Sequence, residues 1–165
     1  MKKKISKELN LYFTNNFPYK SEKISNKKYT IAMGIGGNIG NTKQIFDKLL
    51  IALKSDSRFS IVQTSPLLKN PPFGFLKQNY FLNALIVFKT NLSPLRVLDA
   101  MQRYENRYKR KRSFQDAPRT LDNDIIFIKK NSFNIKLNTK RLVVPHHGYK
   151  QRDSVMIPLK YITKF

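Results

Sequence analysis

Hydrophobic residues along the chain recur at two spacings, one typical of helices and the other of strands. The predicted elements, in chain order, are a strand over residues 29–35, a helix over 41–54, strands over 59–64 and 80–90, a helix over 93–108 and a strand over 120–128. Ile45, Leu49 and Leu53 give the first helix an apolar face. The order β-α-β-β-α-β is that of the split βαβ unit, so we predict an α+β, ferredoxin-like core.

Both predicted helices start at residues that favour helix N-termini. Asn41 has Gln44 three positions later, which is the spacing of a capping box. Ser93 is a good N-cap, and Pro94 suits the first helical position because proline has no N–H to leave unpaired. Between the second and third strands, residues 65–78 contain three prolines and a glycine, so we interpret them as a loop.

Two further regions flank the predicted core. Residues 1–28 are rich in Lys and Asn, and we interpret them as a basic N-terminal extension outside the core, with residues 29–165 as the single domain. One helical stripe in the extension predicts a short helix that ends before Pro18; its residues are Ile5, Leu9, Tyr12 and Phe13. After the last strand, residues 134–144 predict a small hairpin, and an apolar segment at 155–159 predicts a C-terminal helix.

The composition narrows the class of protein. A length of 165 residues favours one domain, and a hydrophobic fraction of 41% excludes a chain that is disordered throughout. The absence of Cys excludes a disulfide scaffold, a zinc–thiolate site and a thiol nucleophile. No apolar run approaches the ~18 residues of a membrane span, and no apolar segment of a secretory signal follows the basic N-terminus. We therefore expect a cytoplasmic protein with no membrane partner.

The net charge predicts a polyanionic ligand. The chain has 32 Lys and Arg against 10 Asp and Glu, a formal charge of +22. Such a protein favours nucleic acid, anionic lipid or nucleotide phosphates, although a solvated lysine surface gives the same total. A basic, ferredoxin-like nucleic-acid-binding module is therefore an alternative to an enzyme.

Four of the six glycines lie within seven residues at the end of the first strand. They are Gly34, Gly36, Gly37 and Gly40. Their spacing matches neither the dinucleotide fingerprint nor the phosphate-binding P-loop. Two interpretations stay open: a turn that requires positive φ, or a backbone that approaches a ligand closely.

Asp122 and Asp124 are the strongest candidates for metal ligands. Residues two apart on a strand share a face, so these carboxylates project together with their Cα atoms about 7 Å apart. Paired carboxylates suit Mg²⁺, although pairing with neighbouring Lys or Arg is the alternative. Arg110, Arg112 and Arg119 precede them and are suited to bind phosphate, so acids and arginines together predict phosphoryl transfer. The alternative for this basic stretch is a solvated charge run or a nonspecific nucleic-acid patch.

With these residues, the chain resembles the 6-hydroxymethyl-7,8-dihydropterin pyrophosphokinases of folate biosynthesis over about residues 29–162. The motifs that carry the resemblance are Gly36-Gly37-Asn38, Pro71-Pro72-Phe73-Gly74, Phe81-Leu-Asn83-Ala, Gln102-Arg-Tyr-Glu105, Arg110-Lys-Arg112, Pro118-Arg119-Thr-Leu-Asp122-Asn-Asp124, and Arg141-Leu-Val-Val-Pro145-His146 followed by Arg152. The resemblance implies transfer of a pyrophosphoryl group from ATP, the co-substrate, to the pterin hydroxymethyl oxygen, with release of AMP. From the surface lysines we expect at most weak, nonspecific binding of nucleic acid.

The resemblance also implies a role for each matching residue. Asp122 and Asp124 would bind two Mg²⁺ ions, and the catalytic set would be Arg110, Arg112, Arg119, Asp122 and Asp124. The nucleotide-binding set would be Gln102, Glu105, Arg110, Arg112, Ile125, Arg141, His146 and Arg152. The pterin-binding set would be Pro71, Pro72, Phe73, Phe81, Asn83 and Asp122.

The chain departs from the family pattern at two positions near the expected pterin pocket. Asp116 stands where the family commonly has Trp, and Ser154 stands where it usually has an aromatic residue that stacks on the pterin. The basic loop is also one residue shorter. Phe114 and Tyr149 are the alternatives for the missing ring.

Overall fold

The structure is a computed structural model, and it describes residues 1–163 and residue 165. The strands are β1 (Lys2–Lys4), β2 (Asn10–Tyr12), β3 (Tyr19–Lys20), β4 (Tyr29–Gly37), β5 (Phe59–Thr64), β6 (Leu67–Asn70), β7 (Phe81–Thr90), β8 (Asp122–Lys130), β9 (Phe133–Asn134), β10 (Leu137–Asn138) and β11 (Val143–Val144). The helices are α1 (Thr42–Ser55), α2 (Pro94–Arg107) and α3 (Asp153–Leu159), with a short 3₁₀ turn at Tyr149–Gln151. No helix among the described residues is long and apolar enough to cross a membrane.

The predicted α+β, ferredoxin-like core is confirmed. Strands β8, β4, β7 and β5 lie side by side in that order, and each neighbouring pair is antiparallel. The connections β4-α1-β5 and β7-α2-β8 are the two halves of the split βαβ unit. The predicted C-terminal hairpin forms between β10 and β11, and the predicted C-terminal helix is α3.

The two faces of the sheet have different environments. On one face, Met33 and Ile35 of β4 pack with Phe46 and Leu49 of α1 in the main hydrophobic core, to which α2 also contributes. On the other face, Leu85 of β7 and Ile126 of β8 form a small cluster with Val155 of α3. Because α3 is only seven residues long, it covers part of this face and leaves room for a cleft beside it.

Helix α1 begins as its sequence predicts. The Asn41 side chain accepts a hydrogen bond of 3.1 Å from the Gln44 backbone N–H, which supplies one half of a capping box. The glycine cluster, by contrast, does not form a turn throughout. Gly34, Gly36 and Gly37 belong to β4, and only Gly40 has positive φ, at +73°. Strand β4 therefore ends at Gly37, two residues beyond the strand predicted over residues 29–35.

The interpretation of residues 65–78 as an uninterrupted loop is wrong. Leu67–Asn70 form β6, which pairs with β7 on the same edge as β5. Leu67 and Leu68 are both buried. Because neighbouring side chains of a strand point to opposite faces, each face of the sheet buries one of them. The prolines lie on either side of the strand, at Pro66 and Pro71, where a missing N–H does not interrupt the ladder.

The predicted helix in residues 1–28 is also wrong, and so is the placement of this extension outside the core. The segment forms β1, β2 and β3; β2 pairs with β6, and β3 pairs with β5. Phe17 is completely buried in the main core, with its ring 6.2 Å from that of Phe46. Pairing with β5 and β6 satisfies N–H and C=O groups at the edge of the sheet. A short isolated helix, by contrast, is only marginally stable in water. The division of the chain at residue 28 stays a proposal.

Candidate active site

A cleft of about 270 Å³ opens on the α3 face of the sheet. It brings together most of the residues predicted to bind substrate, namely Pro71, Pro72, Phe73, Phe81, Asn83, Arg119, Asp122, Asp124 and Arg152. Its other lining residues are Leu9, Gly34, Ile35, Gly36, Asn70, Asp116, Ile126, Gln151, Asp153, Ser154 and Val155. One cleft therefore joins an apolar, amide-bearing end to an end that carries carboxylates and arginines.

The glycines of β4 form the floor between these two ends. Gly36 lies opposite Asn83 of β7 on one side and Asp122 of β8 on the other. A Cβ on Gly36 would lie 2.5 Å from Asn83 Oδ1, which is closer than side-chain atoms approach. Gly36 is needed for this close approach and not for a positive φ. The Asn83 amide in turn donates a hydrogen bond of 2.7 Å to Asn70 Oδ1.

Asp122 is held by two arginines of the basic segment. Arg119 Nη1 lies 2.7 Å from Asp122 Oδ2, and Arg110 donates to the other carboxylate oxygen. Arg110 also donates to the Leu121 carbonyl at 3.1 Å. Both arginines are largely buried, so the start of β8 carries a compact cluster of opposite charges. Charge-assisted pairs of this kind fix the orientation of all three groups.

Asp124 has a very different environment from Asp122. Its nearest basic groups are the imidazole of His146, with Nε2 at 3.9 Å, and the guanidinium of Arg152, with Nη1 at 4.0 Å, and among the described residues no donor forms a hydrogen bond to its carboxylate. Burial by the surrounding protein raises the pKa of Asp124 to about 7, and the negative charge of Asp122 is the next largest cause. The side chain is nevertheless 39% exposed to the cleft, so a ligand can reach it.

This pair of carboxylates fits a divalent cation in part. Carboxylate oxygens are the ligands that Mg²⁺ prefers, and the protein cation nearest to Asp124, Arg152 at 4.0 Å, lies beyond hydrogen-bonding distance, so a bound cation would add a closer positive charge. The described residues contain no cluster of three or more His, Cys, Asp or Glu that could hold a metal without other ligands. Mg²⁺ commonly takes its remaining ligands from water and substrate phosphates, so two carboxylates are compatible with a site that also binds a nucleotide.

Glu105 connects the basic segment to β8. Its side chain is buried near the end of α2, accepts 2.8 Å from the Asn123 N–H and lies 2.7 Å from Arg112 Nη2. Burial raises the pKa of Glu105, and the Asn123 hydrogen bond opposes the shift. In the structure Glu105 therefore positions protein groups, and Arg112, which is mostly exposed, projects from it towards solvent.

Seven of the eight predicted nucleotide-binding residues lie outside the cleft lining, which includes only Arg152; three of the seven, Glu105, Arg110 and Arg112, are described above. Gln102 is exposed on α2, and Arg141 forms an exposed ion pair with Asp99. Ile125 is 3% exposed, belongs to the main hydrophobic core and does not line the cleft. His146 is close to Asp124, and burial followed by the charge of Arg152 lowers its pKa, so the neutral imidazole is favoured.

Neither alternative for the missing aromatic ring lines the cleft. Phe114 packs edge-to-face on Phe75, with ring centroids 5.2 Å apart, and Tyr149 packs in the same way on Phe127 at 4.8 Å. Ser154 itself does line the cleft. The aromatic residues that do so are Phe81, which lies under the Arg119 guanidinium at 5.2 Å, and the largely exposed Phe73.

The sequence analysis did not predict some residues that the structure places in the site. Asn70 holds the Asn83 amide, and Leu9 lines the cleft from the N-terminal segment. Asn38 accepts 2.9 Å from the Arg119 N–H and donates 3.0 Å to the Asn79 carbonyl, so it connects the basic segment to the start of β7. The glycine-glycine-asparagine motif drew attention to Asn38, whereas nothing in the local sequence distinguishes Leu9 or Asn70.

Comparison with known proteins shows one family. The family model for 7,8-dihydro-6-hydroxymethylpterin-pyrophosphokinase matches residues 32–164. The chain is 42% identical to the 2-amino-4-hydroxy-6-hydroxymethyldihydropteridine pyrophosphokinase of Campylobacter jejuni over 146 residues, which cover 88% of this chain and 90% of that protein. It is 42% identical to the enzyme of the same name from Helicobacter pylori over 133 residues, or 78% of each chain. Over 130 residues, or 79% of each chain, it is 33% identical to the one from Haemophilus influenzae.

Proposed function

The chain belongs to the 7,8-dihydro-6-hydroxymethylpterin-pyrophosphokinase family, and we propose that its cleft transfers the pyrophosphoryl group of ATP to the hydroxymethyl group of 6-hydroxymethyl-7,8-dihydropterin. The products are AMP and the pterin pyrophosphate, and the reaction is a step of folate biosynthesis. One observation carries this proposal. A single cleft places Phe81 and Asn83, suited to a flat heterocycle, beside the acids and arginines suited to a polyphosphate.

The pterin occupies the end of the cleft formed by Pro71, Pro72, Phe73, Phe81 and Asn83. Phe81 offers an aromatic surface to a flat ring, and the Asn83 amide is already oriented by Asn70. Asp122 lies across Gly36 from Asn83, so the hydroxymethyl group of a pterin held there points towards the carboxylates. Binding of this kind lowers the barrier because it holds the reacting oxygen close to the phosphate.

The reaction forms one oxygen–phosphorus bond and breaks another. The pterin hydroxyl oxygen attacks the β-phosphorus of ATP, and the bond from that phosphorus to the oxygen of the α-phosphate breaks. AMP leaves with the bonding electron pair, and the hydroxyl proton passes to water. Negative charge shifts onto the leaving AMP, where Arg110, Arg112 and Arg119 stabilise it. His146 and Arg152, both near Asp124, bind phosphate oxygens.

Asp122 and Asp124 hold two Mg²⁺ ions with the help of substrate phosphates. Bound Mg²⁺ supplies positive charge that neutralises the triphosphate and orients it for in-line transfer. Arg110 and Arg119 form ion pairs with Asp122, and phosphate oxygens would compete for the same guanidinium groups. We also propose that Gln102, Glu105, Ile125 and Arg141 contact the nucleotide. The requirement for ATP favours the cytoplasm.

Product analysis tests the proposal. The purified chain is incubated with ATP, Mg²⁺ and 6-hydroxymethyl-7,8-dihydropterin, and the nucleotides are separated by chromatography. We expect AMP in equal amount to the pterin pyrophosphate, and none without pterin or with excess EDTA. Formation of ADP instead of AMP, or no pterin-dependent product, would contradict the proposal.

The family match favours the enzyme over the nucleic-acid-binding module. We propose that the charge of +22 gives only weak binding to nucleic acid, without sequence preference. Because such binding comes from counterion release, its affinity should fall steeply as salt rises. Fluorescence anisotropy with two unrelated RNA oligonucleotides over a salt series measures both properties. Tight binding to one of them at physiological salt would contradict this part of the proposal.

A further inference from the structure

We propose that Leu9, at the tip of the N-terminal hairpin formed by β1 and β2, is a specificity residue of the pterin end of the cleft. This inference rests on the proposed function. Leu9 lines the cleft with Asn70 and Pro71, although it lies outside residues 32–164, which the family model matches. A segment that precedes the ferredoxin-like core therefore supplies part of the substrate site.

The register of the sheet explains how Leu9 reaches the cleft. Asn10 pairs with Lys69, and the pairing of β2 with β6 is antiparallel, so the preceding Leu9 comes next to Asn70, which follows Lys69. Asn70 is the residue that holds the Asn83 amide. Leu9 thus adjoins the hydrogen-bonded pair of asparagines that we assign to pterin binding.

The hairpin turn holds the Leu9 backbone in place. The Leu9 carbonyl accepts hydrogen bonds from the N–H groups of Ile5, at 2.9 Å, and Ser6, at 3.2 Å. The Leu9 N–H donates to Ser6 Oγ, also at 3.2 Å. Both backbone groups of Leu9 are therefore used inside the turn, and its half-buried side chain is left to project into the cleft.

The hairpin itself is anchored to the rest of the protein at two places. Leu11 is completely buried and pairs with Leu68 of β6. Just beyond β2, the Phe13 ring packs edge-to-face on Tyr161, with centroids 6.1 Å apart, so the hairpin also contacts the segment after α3. These contacts make the hairpin a fixed part of the cleft.

The chemistry of this position favours a flat ring over a phosphate. Leu9 has no charge and no hydrogen-bonding side chain, so it offers nothing to the nucleotide. It adds apolar surface and excludes water beside the asparagine pair, where polar contacts to a heterocycle are worth more. We therefore expect Leu9 to act on pterin affinity and to leave ATP affinity unchanged.

Steady-state kinetics of Leu9→Ala tests the inference, with Ile5→Ala as the control. Ile5 lies in the same turn and is 43% exposed, but it does not line the cleft. Loss of the apolar side chain should raise the KM for pterin about 10-fold, with kcat, the KM for ATP and the melting temperature nearly unchanged. Leu9→Met keeps the apolar volume and should restore the KM for pterin.

Ser6→Ala is a second variant, which leaves Leu9 intact but removes the oxygen that fixes its N–H. It should raise the KM for pterin by a smaller factor, and it decides the matter if Leu9→Ala does not fold. An unchanged KM for pterin in Leu9→Ala, or equal changes in both KM values, would overturn the inference while the proposed function stands. A wild-type chain that makes no AMP would instead overturn the proposed function.

Discussion

The two faces of the central sheet differ in the side chains that they carry and in how those side chains are held. Adjacent residues of β8 show the difference: the backbone N–H and the side-chain Nδ2 of buried Asn123 donate to Glu105 and to the Met101 carbonyl, whereas the Asp124 carboxylate has no hydrogen-bonded partner among the described residues. The helix-covered face is apolar and closely packed, and the cleft face carries glycines, acids and arginines. One face therefore carries most of the hydrophobic core, and the other carries the residues that we propose for the chemistry.

Two aspartates, Asp56 on the helix-covered side and Asp124 on the cleft face, give the same contrast in electrostatic terms. Asp56, at the end of α1, forms hydrogen bonds to Arg58 and is also contacted by the Tyr104 hydroxyl of α2. These contacts, with Arg58 the largest cause, lower the pKa of Asp56 to about 2. Burial raises the pKa of Asp124. The charge of Asp56 therefore stabilises the folded state, and the charge of Asp124 does not.

The largest effect on stability is expected from removal of residues 1–20. This deletion removes β1, β2 and β3 together with the completely buried Leu11 and Phe17. Truncation of one buried Phe alone typically costs about 3–5 kcal/mol, so the shortened chain should be largely unfolded at assay temperature. Thermal melts followed by circular dichroism measure it. Wild-type stability would show that the extension contributes nothing to the core.

A substitution on the helix-covered face should lower stability without changing substrate affinity. Leu49 of α1 is completely buried, and Leu49→Ala should lower the free energy of unfolding by about 2–5 kcal/mol. Ile51→Ala is the matched control because Ile51 lies on the same helix and is 58% exposed. Urea unfolding measures both variants. A changed KM for pterin in folded Leu49→Ala would contradict the expectation that this face affects stability and not substrate affinity.

A substitution on the cleft face should change affinity and leave stability alone. Ser154 lines the cleft at the start of α3, and Ser154→Phe should add an aromatic surface for the pterin. Stacking of a flat base on an aromatic ring contributes about 1–3 kcal/mol. Calorimetric titration with pterin, in the presence of a nonhydrolysable ATP analogue, should show tighter binding. Weaker binding would mean that the space is already filled.

The smallest effect concerns pH and Asp56. Because its pKa is lowered in the folded state from 3.8 to about 2, its contribution is present above about pH 4 and is lost as the pH falls towards 2. Asp56→Asn should therefore cost about 1 kcal/mol at pH 7, a value discounted for the partly exposed Arg58. The difference from wild type should shrink at low pH. Urea unfolding at several pH values measures it, and a constant difference would contradict the assignment.

The sequence predicted the ferredoxin-like core because its periodic segments are long and bounded by clear caps. It also predicted that Arg119, Asp122 and Asp124 lie together, since they belong to one segment, but it did not predict Asp153, which also lines the cleft. It did not predict β6 or the strands of residues 1–28, because pairing with a distant edge leaves no local pattern. Leu9 and Asn70 were missed for the same reason: only the register of two strands brings them together.

The most direct test of the account is Asp124→Asn, with turnover and melting temperature measured on the same sample. Asp47→Asn on α1 is the control, since Asp47 lies on the helix-covered side. Loss of the carboxylate should lower kcat by about 10²–10³-fold, the range for removal of one electrostatic group from an active site. The melting temperature should equal or exceed that of wild type, because the charge of Asp124 lacks a hydrogen-bonded partner among the described residues. Near-wild-type turnover at modest Mg²⁺, or a loss of turnover that only follows a loss of stability, would contradict the account.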